Sequence, residues 1–305
     1  MSEGHRSLEV PPDAAGMRID VWLAGVLELP RARVKELLER GAVRIGGRPP
    51  RKGDRTVAGA RVEVTLETED PRPVPQPELT LEVLYVDPAL IAVDKPAGLP
   101  SHPLQPGEHG TMVNALVARY PECAAASADP REGGLVHRLD TLTSGVLLAA
   151  RTPDSWKALR EAFAGRRVDK RYQAVVTGPV ADSGEIELPL RHRGDHVEPA
   201  LNGSGREAIT SFRVVRRAGD AALLEVRILT GVLHQIRAHL SAIGAPVLGD
   251  FAYGGRPQPG LNRFFLHAAA VTFAHPTSGR TLEVSAPLPP ELRATLHALG
   301  LSGVD

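Results

Sequence analysis

Apolar residues along the chain recur first with the period of a helix and then with the period of a strand. Ile19, Trp22, Leu23 and Val26 are spaced for one helix face, Val34, Leu37 and Leu38 for a second, and Gly41 stands where a helix-ending glycine is expected. Val43 and Ile45 then flank Arg44, and Val62 and Val64 alternate with Arg61, Glu63 and Thr65, so half-exposed strands follow. The stretch EDPRPVPQP carries four prolines among polar residues and reads as a semi-stiff linker. Beyond it, LEVLYVD, LIAVDK, GVLLAA, YQAVVTG, LLEVRIL and LEVSAP have the character of strands, while TMVNALVARY, SWKALREAF and HQIRAHLSAI have that of helices. The two kinds do not alternate regularly and no repeat of fixed period is present, which argues against a doubly wound sheet or a solenoid. The pattern predicts an α+β fold on a mixed, largely antiparallel central sheet flanked by helices and loops, preceded by a small α/β domain. The predicted organisation is a loose tail over residues 1–12, a small domain over 13–68, a linker over 69–78, a main domain over 79–298 and a second tail over 299–305.

One segment combines both kinds of signal. In GGLVHRLDTLTSGVLLAAR, residues 133–151, a polar cluster of His137, Arg138 and Asp140 runs through Thr143-Ser144-Gly145 into Val146-Leu147-Leu148-Ala149-Ala150. The apolar run predicts a buried strand, so the cluster sits at the lip of a core element, where a rigid scaffold holds chemistry. A turn cap by Asp140 and a surface pair with Arg138 would be the plainer explanation.

Charge changes the picture for the first domain only. The chain of 305 residues has 36 basic and 36 acidic side chains, so bulk attraction to a polyanion is absent. Between Arg31 and Arg61, however, ten basic residues face three acidic ones, a local excess of seven. Arg31, Arg33, Lys35, Arg44, Arg48, Arg51 and Lys52 are therefore expected to form a phosphate-binding surface for nucleic acid. The single cysteine, Cys123, excludes an intrachain disulfide and a cysteine-rich zinc site. The start MSEGHRSLEV has no apolar signal core, and no apolar run is long enough to span a bilayer. The expectation is a cytoplasmic protein with no membrane partner.

Other chemistries fail on spacing. His234 and His239 are five apart and point about 140° from each other on a helix, which does not suit a zinc pair. There is no Gly-x-Ser-x-Gly elbow, no P-loop and no dinucleotide fingerprint. Three further patches, VDKPAGLPSHP, VDKRYQAVVTG and LTGVLHQIRAHLSAIGAPVLGDFAYG, combine charge with turn residues. Taken in order with His137-Arg138-Leu139-Asp140 and Thr143-Ser144-Gly145, with Lys170-Arg171-Tyr172 and with His234-Gln235-Ile236-Arg237, they resemble the RluA-type family of RNA pseudouridine synthases. The leading domain resembles the RNA-binding domain named for the fourth small-subunit ribosomal protein, through Arg18-Ile19-Asp20, although Pro30-Arg31 and Ile45-Gly46-Gly47 replace its usual Ser-Arg and Val-Asn-Gly. A second departure is Val232, where the family's third motif carries arginine.

The resemblance implies a pseudouridine synthase fold, isomerisation of uridine in structured RNA, no cofactor and no metal. It makes Asp140 the catalytic carboxylate, Arg237 its partner and Tyr172 the ring that stacks on uracil and helps move the C5 proton. A guanidinium can grip a carboxylate with two hydrogen bonds and hold it ionised in a dry pocket. Arg138 would fill the stack vacated by a flipped nucleotide, with His137 beside it at the RNA face and holding the loop. The expected partner of this monomer is ribosomal RNA of the large subunit. A transfer-RNA target, or a non-catalytic RNA-binding factor for ribosome assembly, are the alternatives. Retention of Asp140, Tyr172 and Arg237 together speaks against the latter.

Overall fold

The computed structural model describes residues 3–51, 53–67, 71–194, 196–200 and 204–303. The chain divides into two compact units, Met1–Asp70 and Pro71–Asp305. In the first, strand β1 (Glu3–Glu9) precedes helices α1 (Ile19–Leu27) and α2 (Arg31–Glu39) and strands β2 (Val43–Ile45) and β3 (Arg61–Glu67). The helical period works as expected: Ile19, Trp22, Leu23 and Leu27 of α1 and Val34 and Leu37 of α2 bury one face each against Val43, Val62 and Val64. Val26, by contrast, points outward. The sheet order is β1-β3-β2, antiparallel throughout. The expected N-terminal tail is corrected here, because Glu3–Glu9 pairs along the whole of β3 and Val10 is buried. Its alternation of polar and apolar residues is too short for a sequence reading to separate from a tail.

The second unit carries strands β4 (Glu82–Val86) and β5 (Leu90–Lys95), helix α3 (Met112–Arg119), strand β6 (Ser144–Ala150), helix α4 (Pro153–Ala164) and strands β7 (Asp169–Thr177), β8 (Ser183–Glu187), β9 (Leu190–Arg193) and β10 (His196–Pro199). Strands β11 (Ile209–Ala218) and β12 (Ala221–Ile228), helix α5 (Gln235–Ala242), strands β13 (Leu266–Ala274) and β14 (Thr281–Ser285) and helix α6 (Pro290–Ala298) complete it. The main sheet runs β4-β5-β6-β13-β7-β12-β11-β8, with β14 added beside β13, and β9 and β10 form a separate hairpin. Only the β6–β13 pairing is parallel, so the sheet is mixed and largely antiparallel.

Both faces of β6 are covered, which is why its sequence is continuously apolar. Leu147 and Ala149 pack with Met112, Val113, Leu116 and Val117 of α3. The intervening Val146, Leu148 and Ala150 pack with Leu159 and Ala162 of α4. At its start, Gly145 lies in the left-handed region (φ 116°), and a Cβ there would collide with the backbone carbonyl of Ala268 on β13. Only glycine permits this approach.

Two boundary expectations are also corrected. The proline-rich segment is docked on the second unit: Pro73 is buried, Val74 O accepts from the Asn114 amide at 2.8 Å, and Gln76 N–H donates to Asn114 O at 3.0 Å. At the other end, the chain beyond α6 folds back so that Leu301 is buried with Leu292 and Leu296. A polar composition hid both contacts, since a few anchored residues leave no period.

Candidate active site

The register of the sheet sets the site. Gly145 pairs with Ala268, and Ala268 pairs with Tyr172, so the turn before β6 and the start of β7 lie in one row across β13. The turn, residues 139–143, is held from several directions. Ser101 Oγ donates to Leu139 O at 2.8 Å and accepts from Leu139 N–H at 3.0 Å. Thr141 O accepts from Gly98 N–H at 2.8 Å and from Lys95 Nζ at 3.0 Å, and Leu142 O accepts from Arg263 at 2.9 Å. Lys95 is fully buried and has no acidic partner within hydrogen-bond reach. Its other two donors go to Pro96 O and Leu99 O. Burial pulls this amine down to about 7, yet three carbonyls match the three N–H groups of an ammonium. Lys95 therefore clamps the loop that carries Asp140.

Asp140 projects from this turn into a cleft of about 740 Å³. Its Oδ2 accepts from Arg237 Nη1 at 3.1 Å. The expected two-bond grip goes elsewhere: Arg237 donates Nε to Asp250 Oδ2 at 2.6 Å and Nη2 to Asp250 Oδ1 at 2.8 Å. One guanidinium bridges two carboxylates, and the fork belongs to the more buried one, whose side chain is 1 % exposed. Phe264 and Tyr253 close on the cation at 4.2 and 4.9 Å from their ring centroids. Burial alone would lower the Arg237 guanidinium, but Asp250 and Asp140 raise it.

Tyr172 is buried and lines the same cleft. Burial, and after it the charge of Asp140, pushes its phenol up, so the free site holds it in the O–H form. The hydroxyl of Thr143 also lines the cleft and is buried with no hydrogen-bond partner among the described residues. Cations dominate the walls: Arg138, Lys157, Arg160, Lys170 and Arg206 join Arg237, against Asp140 and Glu161. Lys170, drawn down to about 8 by burial, donates to Thr230 O at 3.0 Å. Val232 turns its side chain into the base of the β9–β10 hairpin with Leu190, Val197 and Ala208, so an apolar anchor stands there instead of a charge.

His137 lines the same cleft and also braces the sheet. Its Nε2 accepts from the Leu148 N–H at 3.0 Å and its ring stacks on Phe163 at 4.9 Å. Burial pushes the imidazole down to about 3, so it is a neutral brace of β6. Arg138, one residue on, is exposed on the cleft wall. In the first unit, Arg31, Arg33 and Lys35 lie on α2, Arg44 on β2, and Arg48 and Arg51 on the following loop; Lys52 lies outside the described residues. Several of these cations have acidic neighbours, Arg31 with Asp20, Arg33 with Glu36, Lys35 with Glu39 and Arg48 with Asp54. Such exposed pairs are weak and exchange readily for phosphate.

A carboxylate and a buried tyrosine lining one cation-lined cleft are groups suited to chemistry on a polyanion. A family model described as RNA pseudouridylate synthase matches residues 89–242, a span that takes in Asp140, Tyr172 and Arg237. The chain belongs to that family. A Mycobacterium bovis protein described as an uncharacterized RNA pseudouridine synthase is 39 % identical over 303 residues, covering 96 % of this chain and 98 % of its own. The ribosomal large subunit pseudouridine synthase D of Xanthomonas campestris pv. campestris is 38 % identical over 311 residues, covering 96 % and 92 %. A solved human structure described as RNA pseudouridylate synthase domain containing 4 shares the fold, with a TM-score of 0.59 and 24 % identity over 73 % of this chain and 95 % of that one. As a pseudouridine synthase the chain is an isomerase acting on uridine in RNA. Sequence reasoning missed Asp250, Tyr253, Lys95 and His234 as members of this synthase site. Asp250 and Tyr253 stood within GDFAYG, but nothing in a linear motif says that its aspartate meets an arginine thirteen residues earlier.

Proposed function

We propose that this enzyme isomerises specific uridines of large-subunit ribosomal RNA to pseudouridine, with Asp140 as the catalytic carboxylate. The observation that carries the reading is the Asp140 carboxylate itself, bonded through Oδ2 to Arg237 and open to a cation-lined cleft. In the reaction the bond from ribose C1′ to N1 of uracil breaks, the base turns, and C1′ joins C5. The proton lost from C5 is balanced by one gained at N1, so no redox partner is required. A carboxylate beside the breaking glycosidic bond can trap or stabilise the cationic sugar. Arg237, locked by Asp250, keeps that carboxylate oriented.

Tyr172 offers a flat buried ring to the uracil and, as a protonated phenol, a relay for the C5 proton rather than a free base. Arg138 is placed to stack in the gap left by the flipped nucleotide. The first unit, read as a ribosomal-protein-like RNA-binding domain, adds phosphate contacts through Arg31, Lys35, Arg44, Arg48 and Arg51. Buried Cys123, a thiol pushed up to about 12, is suited to the reducing cytoplasm.

The ribosomal target rests on the synthase D relatives. Unmodified large-subunit ribosomal RNA and transfer RNA incubated side by side with the protein, then mapped chemically for pseudouridine, test it. New sites in the ribosomal RNA are expected; product in transfer RNA alone would overturn the target.

A further inference from the structure

The residue that opens α5 gives up two local preferences at once. His234 occupies the N-cap position, where a short polar side chain normally bonds the first free amides, yet it makes no capping hydrogen bond. It also adopts the left-handed conformation, φ 52° and ψ 19°, which a non-glycine residue takes at a cost of about 1–3 kcal/mol. Gln235 serves the surrounding loop instead, its Oε1 accepting from Val232 N–H at 3.1 Å and from Thr230 Oγ1 at 2.9 Å. The result of both concessions is that the imidazole enters the cleft with Nε2 3.9 Å from Oδ2 of Asp140.

The partners of the other ring nitrogen fix where the proton lies. Tyr253 Oη accepts from the Val197 N–H at 3.0 Å, a group that can only donate. Its own hydrogen remains available to His234 Nδ1, 3.1 Å away. A neutral imidazole accepting at Nδ1 carries its hydrogen on Nε2. That N–H faces a carboxylate oxygen which Arg237 already holds, whereas Oδ1 accepts no hydrogen bond among the described residues.

We propose that His234 is a positioning residue for Asp140: its Nε2–H, held in that tautomer by Tyr253, works with Arg237 on Oδ2 and leaves Oδ1 as the oxygen that meets the ribose. This rests on the reading of Asp140 as the catalytic carboxylate. The separation of 3.9 Å is roughly one ångström long for a hydrogen bond, and such contacts tighten when substrate fills a site. The charged and titratable groups around the ring are Asp140 and Arg138 of the turn before β6, Arg237 of α5 and Asp250 and Tyr253 of the following turn, with His196 of β10 edge-on to the same tyrosine. Burial, the largest influence, pulls the imidazole down, helped by Arg237 and Arg138 and opposed by Asp140 and Asp250.

Three variants test the assignment on one RNA substrate. His234→Leu removes the donor and is expected to lower kcat about 30- to 100-fold with KM within about twofold. His234→Gln keeps an N–H near the Nε2 position and is expected to recover most of that loss. Tyr253→Phe keeps the ring against Arg237 but frees the tautomer. Relative to the unaltered protein it should be slow near about pH 8 and recover only as pH falls below the ordinary imidazole range of about 6.5, because an imidazolium carries Nε2–H whichever tautomer it came from. Unchanged kcat in His234→Leu, a loss confined to KM, or a flat Tyr253→Phe ratio would each overturn it. Nitrogen NMR of the imidazole, assigned with His234→Gln, reads the tautomer without turnover. The Nε2–H form is expected, and the Nδ1–H form refutes the proposal. If the unaltered protein makes no pseudouridine, the functional reading fails by itself, and the NMR result still decides the tautomer.

Discussion

Replacing Arg237 with alanine removes three hydrogen bonds to two carboxylates and strands the more buried of them. Asp250, 1 % exposed at its side chain, would lose the 2.6 and 2.8 Å bonds that compensate its desolvation. Breaking a buried pair from one side costs about 3–5 kcal/mol, most of it the unpaired charge left behind. The space vacated beside Phe264 and Tyr253 belongs to the same loss. In a unit of this size each kcal/mol moves Tm by about 2–4 °C, so Arg237→Ala should melt roughly 10 °C lower. Removing both partners as Arg237→Met with Asp250→Leu should be milder than either single change, since no charge is stranded. Arg213→Ala, which breaks an exposed pair with Glu225, is the control and should cost under about 1 kcal/mol. Urea unfolding of the unaltered protein, Arg237→Met, Asp250→Leu and the double variant, followed by intrinsic fluorescence, supplies the cycle, and thermal melts of Arg237→Ala and Arg213→Ala supply the Tm shifts. An Arg237→Ala protein within about 2 °C of the unaltered one, or a double variant that costs the sum of the singles, would refute the claim that Asp250 is the arginine's structural anchor.

Gly145→Ala should lose folded protein in expression or several kcal/mol in unfolding, because its Cβ collides with the Ala268 carbonyl in a left-handed position; a stable, active variant would show that β6 and β13 can part. Burial alone would raise the Asp87 carboxyl, but hydrogen bonds from Leu90, Tyr85, Ala89 and His275 hold it down to about 2. A folded value below the unfolded one gives stability that is full above about pH 4 and is lost as pH falls toward about 2. Of roughly 2 kcal/mol of acid sensitivity, about 1 kcal/mol lies between about pH 3 and pH 6 and should vanish in Asp87→Asn, as read by unfolding at those two values. Deleting residues 1–70 should weaken RNA binding and flatten its dependence on salt, measured by titration at several ionic strengths; an identical slope would mean that the basic unit makes no phosphate contacts.

Periodicity and burial made most of the fold legible. The continuous apolar run of β6 and the helical spacing of α1 and α2 each report one face or two faces of a core, and a core is a local pattern repeated. Segments held by single contacts were not legible: Glu3–Glu9 pairs with a strand more than fifty residues away, and Gln76 and Leu301 dock without a period around them. The site divides the same way. Asp140 stood out at the lip of an apolar run, and Tyr172 and Arg237 through the resemblance of their motifs to a known family. Asp250 did not, because its meaning is the fork it makes to Arg237, and Lys95 looked like a turn because its partners are backbone carbonyls that no sequence displays. His137 lines the cleft, and its contacts with Leu148 and Phe163, which brace β6, could not be read from the motif around it.

The central claim is that Asp140 performs the isomerisation, and Asp140→Asn tests it most directly. The amide keeps the size of the side chain and an oxygen for Arg237 while removing the charge. Purified protein and variant, matched for RNA affinity and melting temperature, would be incubated with unmodified large-subunit ribosomal RNA and the product mapped at nucleotide resolution. The account predicts pseudouridine at defined positions with the unaltered protein and none with the variant, at equal binding. Turnover by Asp140→Asn at a comparable rate would contradict it.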